Sequence, residues 1–143
     1  MFPSGWRDFF RTTPFSDNRW NLSKGGELEL SDCIFCKIVR KEIPAQIVYE
    51  DDVVVAFKDI NPAAPTHILI IPREHISSIA AAEASHQAIL GQLLLASQKV
   101  TAALGIEPDK HRLVINTGAD AGQTVFHLHV HLLAGRNLGW PPG

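Results

Sequence analysis

Cysteine is scarce in this chain. Only Cys33 and Cys36 occur in 143 residues, so there is no disulfide framework of the secreted kind. A single Cys-x-x-Cys fits a reducing compartment, and a cytoplasmic location is expected. Net charge is also small, at −2 with the histidines neutral. That provides no field for a nucleic-acid backbone or an anionic membrane, so neither partner is expected. Any phosphate must be held locally, by hydrogen bonds and imidazoles. No apolar run approaches the length that spans a bilayer. Residues 1–30 lack the continuous apolar stretch of a secretory signal. They mix Arg7, Arg11 and Arg19 with Asp8, Asp17, Pro3 and Pro14. They read as an extension, disordered or packed on the domain surface, with organelle import as its alternative use. Internal repeats and low-complexity runs are missing too. What is present, 45% hydrophobic and 20% charged residues, suits one soluble domain with a substantial core, expected over 31–143.

Regular patterning begins near Ser31. Ser31 and Asp32 are placed to cap a short helix from Cys33 to about Lys41, stopped by Pro44. Ile47–Glu50 and Val53–Lys58 are rich in β-branched residues around an Asp51–Asp52 turn, and predict a hairpin. Asn61–Pro62 and Ala64–Pro65 mark a loop. His67–Ile71 is a continuous apolar run, expected as a central strand ending at Pro72. Ser85–Leu104 carries Ile89, Leu93, Ala96, Val100 and Leu104 at helical spacing, with Ser85 as cap and Gly105 as terminator. Arg112–Asn116 reads as a further strand before a glycine-rich loop. Short connections favour antiparallel pairing. The fold expected is α+β: an antiparallel sheet with one long and one short helix packed on one face.

The segment His127–Leu133 (HLHVHLL) carries the chemistry. Alternation in a strand places His127, His129 and His131 on one face and Leu128, Val130 and Leu132 on the other. Neutral imidazole is a nucleophile and proton carrier near neutral pH, so one ring can attack phosphorus while its neighbours hold the phosphate oxygens. Asn116, Gln123 and Thr124 supply donors nearby, and Gly118 and Gly122 let backbone approach a phosphate. For Asn116 and Thr124, ordinary turn chemistry is the plain alternative. Asp59 can accept both hydroxyls of a ribose, although its spacing alone favours a turn cap. Cys33, Cys36, His67 and His127 can bind zinc tetrahedrally; the alternative is a pair of half-buried small residues. His75, His86 and His111 stand apart and receive no assignment.

From Cys33 to Gly143 the chain resembles the histidine triad (HIT) superfamily, and most closely its Hint branch of nucleotide-binding proteins. HLHVHLL matches the family's alternating histidine motif. Supporting matches are IFCKIVRKEIPA (34–45), FKDINPAAPTHILIIP (57–72), INTGADAGQTVFHLHVHLLAGR (115–136) and the terminal WPPG (140–143). The resemblance implies an α+β homodimer that binds purine nucleoside monophosphates. It also implies hydrolysis of the P–N bond of adenosine 5′-phosphoramidates through a nucleotidyl-histidine. By that analogy His129 is the nucleophile, His131 contacts the phosphate, His127 orients the row and His67 ends the relay. Asn116 and Thr124 hydrogen-bond the phosphate or leaving group, Gln123 lies beside them, and Asp59 binds the ribose. Ile34, Phe35, Ile38, Ile43, Phe57 and Ile60 form the base slot, and Trp140 reaches toward the partner subunit's site. No cofactor is required; a structural zinc is the one candidate. Were it held by His67 and His127, those two could not also carry protons. Thr124 stands where the family usually has serine, and Ala134 where glycine is common. The alternatives are a dinucleoside polyphosphate hydrolase and a nucleotide-sensing interaction module with incidental turnover.

Overall fold

The computed structural model describes residues 32–143. The extension expected at 1–30, and Ser31 as a cap, lie outside them. The first helix, α1, spans Ile34–Val39. Its N-cap is Cys33, whose sulfur accepts from the Cys36 amide. The expected Ser31–Asp32 cap is thus corrected: the thiol of the Cys-x-x-Cys itself closes the helix. The chain then forms β1 (Ile47–Glu50) and β2 (Val54–Lys58), an antiparallel hairpin. Its turn is built on Asp51, whose Oδ1 accepts from the amides of Val53 and Val54.

Strand β3 (Thr66–Pro72) follows. The long helix, α2, covers Gln87–Leu104 and ends at Gly105, whose φ of 69° is the left-handed stop that glycine tolerates. Ser85 does not cap it. A 3₁₀ turn over Ala84–His86 precedes α2, with Glu83 and His86 forming a reciprocal capping box. Strands β4 (His111–Val114) and β5 (Val130–Ala134) complete one antiparallel five-stranded sheet in the order β1-β2-β3-β5-β4. The expected central strand is therefore the middle one.

Alternation divides the core in two. One face of the sheet presents Val54, Ala56, Ile68, Ile70, Val130 and Leu132 to Leu93, Ala96 and Val100 of α2. The other presents Val55, Phe57, Leu69 and Ile71 to Ile34, Phe35 and Ile38 of α1. The expectation that both helices share a face is corrected. Periodicity reveals which residues are buried, but not on which side of a sheet. The functional residues lie on the α1 face. The histidine segment is also less regular than expected: only Val130–Ala134 is paired strand, while His127–His129 lead into it through a bend.

Candidate functional site: two imidazole clusters

The pairing of β3 with β5 sets Leu69 opposite His131 and His67 opposite Leu133, so His67 and His131 come together on the α1 face. They line a cavity of ≈ 320 Å³ with His129, Phe35, Asp59, Asn116 and Thr124. That volume suits a small ligand. Backbone groups fix the protons in it. The amide of Ala63 donates to His67 Nδ1 at 3.0 Å, which makes that nitrogen an acceptor. The proton of His67 is thus on Nε2, which donates to His131 Nδ1 at 2.9 Å. His131 in turn carries its proton on Nε2, a buried atom that no group among the described residues satisfies. His129 Nδ1–H donates to the His127 carbonyl at 2.7 Å, which leaves the His129 Nε2 lone pair free to attack. Burial, reinforced by neighbouring His129 and His67, lowers His131 from the ordinary 6.5 to about 3. Burial also lowers His129 and His67; Asp59 partly offsets this for both. All three rings are therefore held neutral near pH 7.

His127 faces elsewhere. It is fully buried and its Nε2–H donates to the Pro72 carbonyl at 2.8 Å. Its bare Nδ1 lies 3.4 Å from Cys33 Sγ, 3.5 Å from Cys36 Sγ and 3.2 Å from His75 Nδ1. His75 Nδ1 is 3.4 Å from Cys36 Sγ. The ligand atoms of these four residues lie within 4.8 Å of one another. A tetrahedral zinc with ordinary bond lengths requires edges of about 3.3 Å between nitrogens and about 3.6 Å between nitrogen and sulfur. The donor set and spacing fit. The hydrogen bond from Cys36 chiefly, with His127 and His75, pulls the Cys33 thiol strongly down, while Cys33 pushes Cys36 up. Two thiols and two imidazole nitrogens converging on one point are the donor set of a thiophilic cation.

The metal set expected from sequence is therefore corrected: His75, not His67, completes it. Nothing in the spacing signals His75. It is delivered by the turn after Pro72, where β3 ends. His67 is committed to the other cluster. Asp59, His67 and His131 also crowd their ligand atoms within 4.8 Å, but His67 Nε2 holds a proton and cannot ligate while Ala63 occupies Nδ1. His67 and His131 are a hydrogen-bonded relay, with the Asp59 carboxylate 3.5 Å from its first ring. The ring of Phe35 separates the two clusters, 5.8 Å from the His127 ring and 5.2 Å from that of His129.

Asp59 Oδ1 accepts from the Asn61 amide, as its spacing suggested, while Oδ2 lies 3.5 Å from His67 Nε2. Gln123 is buried, and its amide is fully used. It donates to the carbonyls of Ser77 and Val125 and accepts from the Gly118 amide. It braces the glycine loop and does not face the cavity, a correction to its expected binding role. Of the expected base slot, Phe35 lines the cavity, Ile34, Ile38 and Phe57 lie in the core behind it, and Ile43 packs against that core. Ile60 and Trp140 are exposed. The tail before Trp140 is tied down by Arg112, which donates to the carbonyls of Leu138 and Gly139.

The HIT domain matches residues 40–138. A 14 kDa zinc-binding protein of Zea mays is 52% identical over 118 residues, covering 81% of this chain and 91% of that protein. The purine nucleoside phosphoramidase of Escherichia coli is 49% identical over 108 residues, covering 76% of this chain and 91% of that protein. The crystal structure of a HIT family hydrolase from Legionella pneumophila superposes with a TM-score of 0.75 at 46% identity, covering 78% of this chain and all of that one. With its histidines, sheet and relatives in agreement, the chain belongs to the HIT domain family.

Proposed function

We propose that this protein is a purine nucleoside phosphoramidase, hydrolysing the P–N bond of adenosine 5′-phosphoramidates. One observation carries the reading: the His129 Nε2 lone pair and the His131 Nε2–H meet at one cavity, each fixed by a hydrogen bond on the far side of its ring. A nucleophile and a donor so placed can serve one phosphorus. The Escherichia coli relative of that name supports the substrate class, and the Legionella pneumophila relative supports hydrolysis.

His129 Nε2 attacks phosphorus and the P–N bond breaks. The amine takes up a proton from solvent, oriented by the Thr124 hydroxyl and His131 Nε2–H, and leaves. Water then attacks the nucleotidyl-histidine, the bond to His129 breaks, and the proton shed by that water returns to solvent. His131 and Asn116 hold the phosphate oxygens, and Asp59 accepts from the ribose hydroxyls. The base lies against Phe35. The Cys33, Cys36, His75 and His127 cage would hold zinc, as the name of the Zea mays relative suggests. Bound there, it would supply a fixed cross-link between α1 and the histidine segment. The protein acts as a homodimer, with the exposed Trp140 extending to the partner subunit's site.

Steady-state turnover of adenosine 5′-phosphoramidate, beside that of a diadenosine polyphosphate, tests the substrate class. Mass spectrometry of a quenched reaction tests the intermediate. The expected result is preference for the phosphoramidate and an adenylyl adduct on His129. Faster cleavage of the polyphosphate, or an adduct elsewhere, would refute the reading.

A further inference from the structure

Every ring in the relay owes its proton's position to the one before it, and the series begins at a group with no acid–base chemistry, the Ala63 amide. We propose that this amide is a positioning group for the reaction: by occupying His67 Nδ1 it fixes the tautomers of His67 and His131, keeping an N–H aimed at the leaving group. The proposal rests on the phosphoramidase reading above.

The reasoning is a count of protons. A backbone N–H donates and cannot accept. While it sits 3.0 Å from His67 Nδ1, a proton on that nitrogen would set two donors against each other. The neutral ring must carry its proton on Nε2. At 2.9 Å from His131 Nδ1, one proton serves the pair, so His131 Nδ1 accepts and His131 Nε2 is protonated. Reversing the series would leave a bare lone pair on His131 Nε2, with no N–H to offer the leaving group or the phosphate oxygens. Burial keeps His131 neutral, so a second proton does not rescue the reversed state.

The loop is built to hold Ala63 still. Asp59 Oδ1 accepts from the Asn61 amide at 2.8 Å, and the Asp59 amide donates to the His67 carbonyl at 2.9 Å. Arg136 Nη2 donates to the Ala63 carbonyl at 3.2 Å. Beside it Gly135, with φ of 96°, passes so close that a Cβ there would meet the Pro65 ring at 2.7 Å. The N–H and the carbonyl of Ala63, on the two peptide units that flank its Cα, are thus both engaged, with the N–H directed at the ring.

The test replaces Ala63 by lactic acid in the full chain, so that an ester oxygen stands where the N–H was. Imidazole ¹⁵N shifts report each tautomer without any substrate. In the native chain, His67 and His131 are expected to carry their protons on Nε2. In the ester chain both invert, and kcat for adenosine 5′-phosphoramidate falls about tenfold or more, with KM moved less than about threefold. A second background separates positioning from mere loop structure. In His67→Gln the side-chain amide donates to His131 with no tautomer to choose, so the ester is expected to cost less than about twofold there.

A native His67 protonated on Nδ1 overturns the proposal, and that measurement needs no variant. Unchanged tautomers in the ester chain, or inverted tautomers with full kcat, overturn it too. So does an equal ester effect in both backgrounds. Failure to hydrolyse the phosphoramidate at all would instead refute the functional reading, while the ¹⁵N shifts would still judge the tautomers.

Discussion

The two imidazole clusters on either side of Phe35 are built from the same kind of ring and are wired in opposite senses. In the cage, His127 gives its proton to the Pro72 carbonyl and turns a bare Nδ1 on Cys33, Cys36 and His75. In the relay, the Ala63 amide claims His67 Nδ1, so the next contact must be made by an N–H. A carbonyl behind the first ring makes a ligand; an amide behind the second makes a donor. The lesson is that a histidine's role is set by the group at its back, and that group is main chain in both clusters.

The sharpest way to separate the clusters is to damage each and measure both. Replacing His129 by Ala is expected to lower kcat by about 10⁴-fold or more and to leave bound metal, measured by atomic emission, unchanged. Replacing Cys36 by Ser is expected to abolish stoichiometric metal and lower stability by about 3–4 kcal/mol in a denaturant titration. A chelator should then lower the Tm of the native protein and not that of the variant. An unaltered Tm in both would break the contrast. His67→Ala should do the reverse of Cys36→Ser, retaining metal while kcat drops about 10- to 100-fold.

A further expected effect is on the pH dependence of stability. His131 is lowered from 6.5 to about 3, by burial first and then by His129 and His67. A lowered imidazole means that the unfolded chain binds the extra proton first. Its contribution is full above the unfolded value near 6.5 and is lost as pH falls toward about 3. Stability should therefore rise with pH across that window, and His131→Gln should flatten the slope. A slope unchanged by His131→Gln would place the acid sensitivity elsewhere.

Much of this was legible in the sequence. The hairpin, the central strand and the long helix follow from β-branched runs, the Asp51–Asp52 turn, Gly105 and helical spacing. The histidine row and the Cys-x-x-Cys also announced themselves. Three things did not. The sidedness of α1 was hidden because Ile34, Phe35 and Ile38 look the same packed on either face. His75 was hidden because a metal cage is assembled across long sequence separations, and its fourth member arrives on an unremarked turn. Gln123 misled because a donor in a glycine loop suggests a ligand, whereas all its valences are spent inside the protein. Main-chain partners carry no residue code at all, which is why Pro72 and Ala63 escaped.

The bend at His127 has a consequence for anyone who would rebuild this protein. Had the strand run straight through from position 127, the His127 carbonyl would point along the ladder to a neighbouring strand. The His129 ring would then have nothing behind it to hold its proton. Straightening that backbone would make a tidier sheet and, on the proposed mechanism, leave the His129 proton unplaced, so a redesign that favours regularity would remove the bend that holds it.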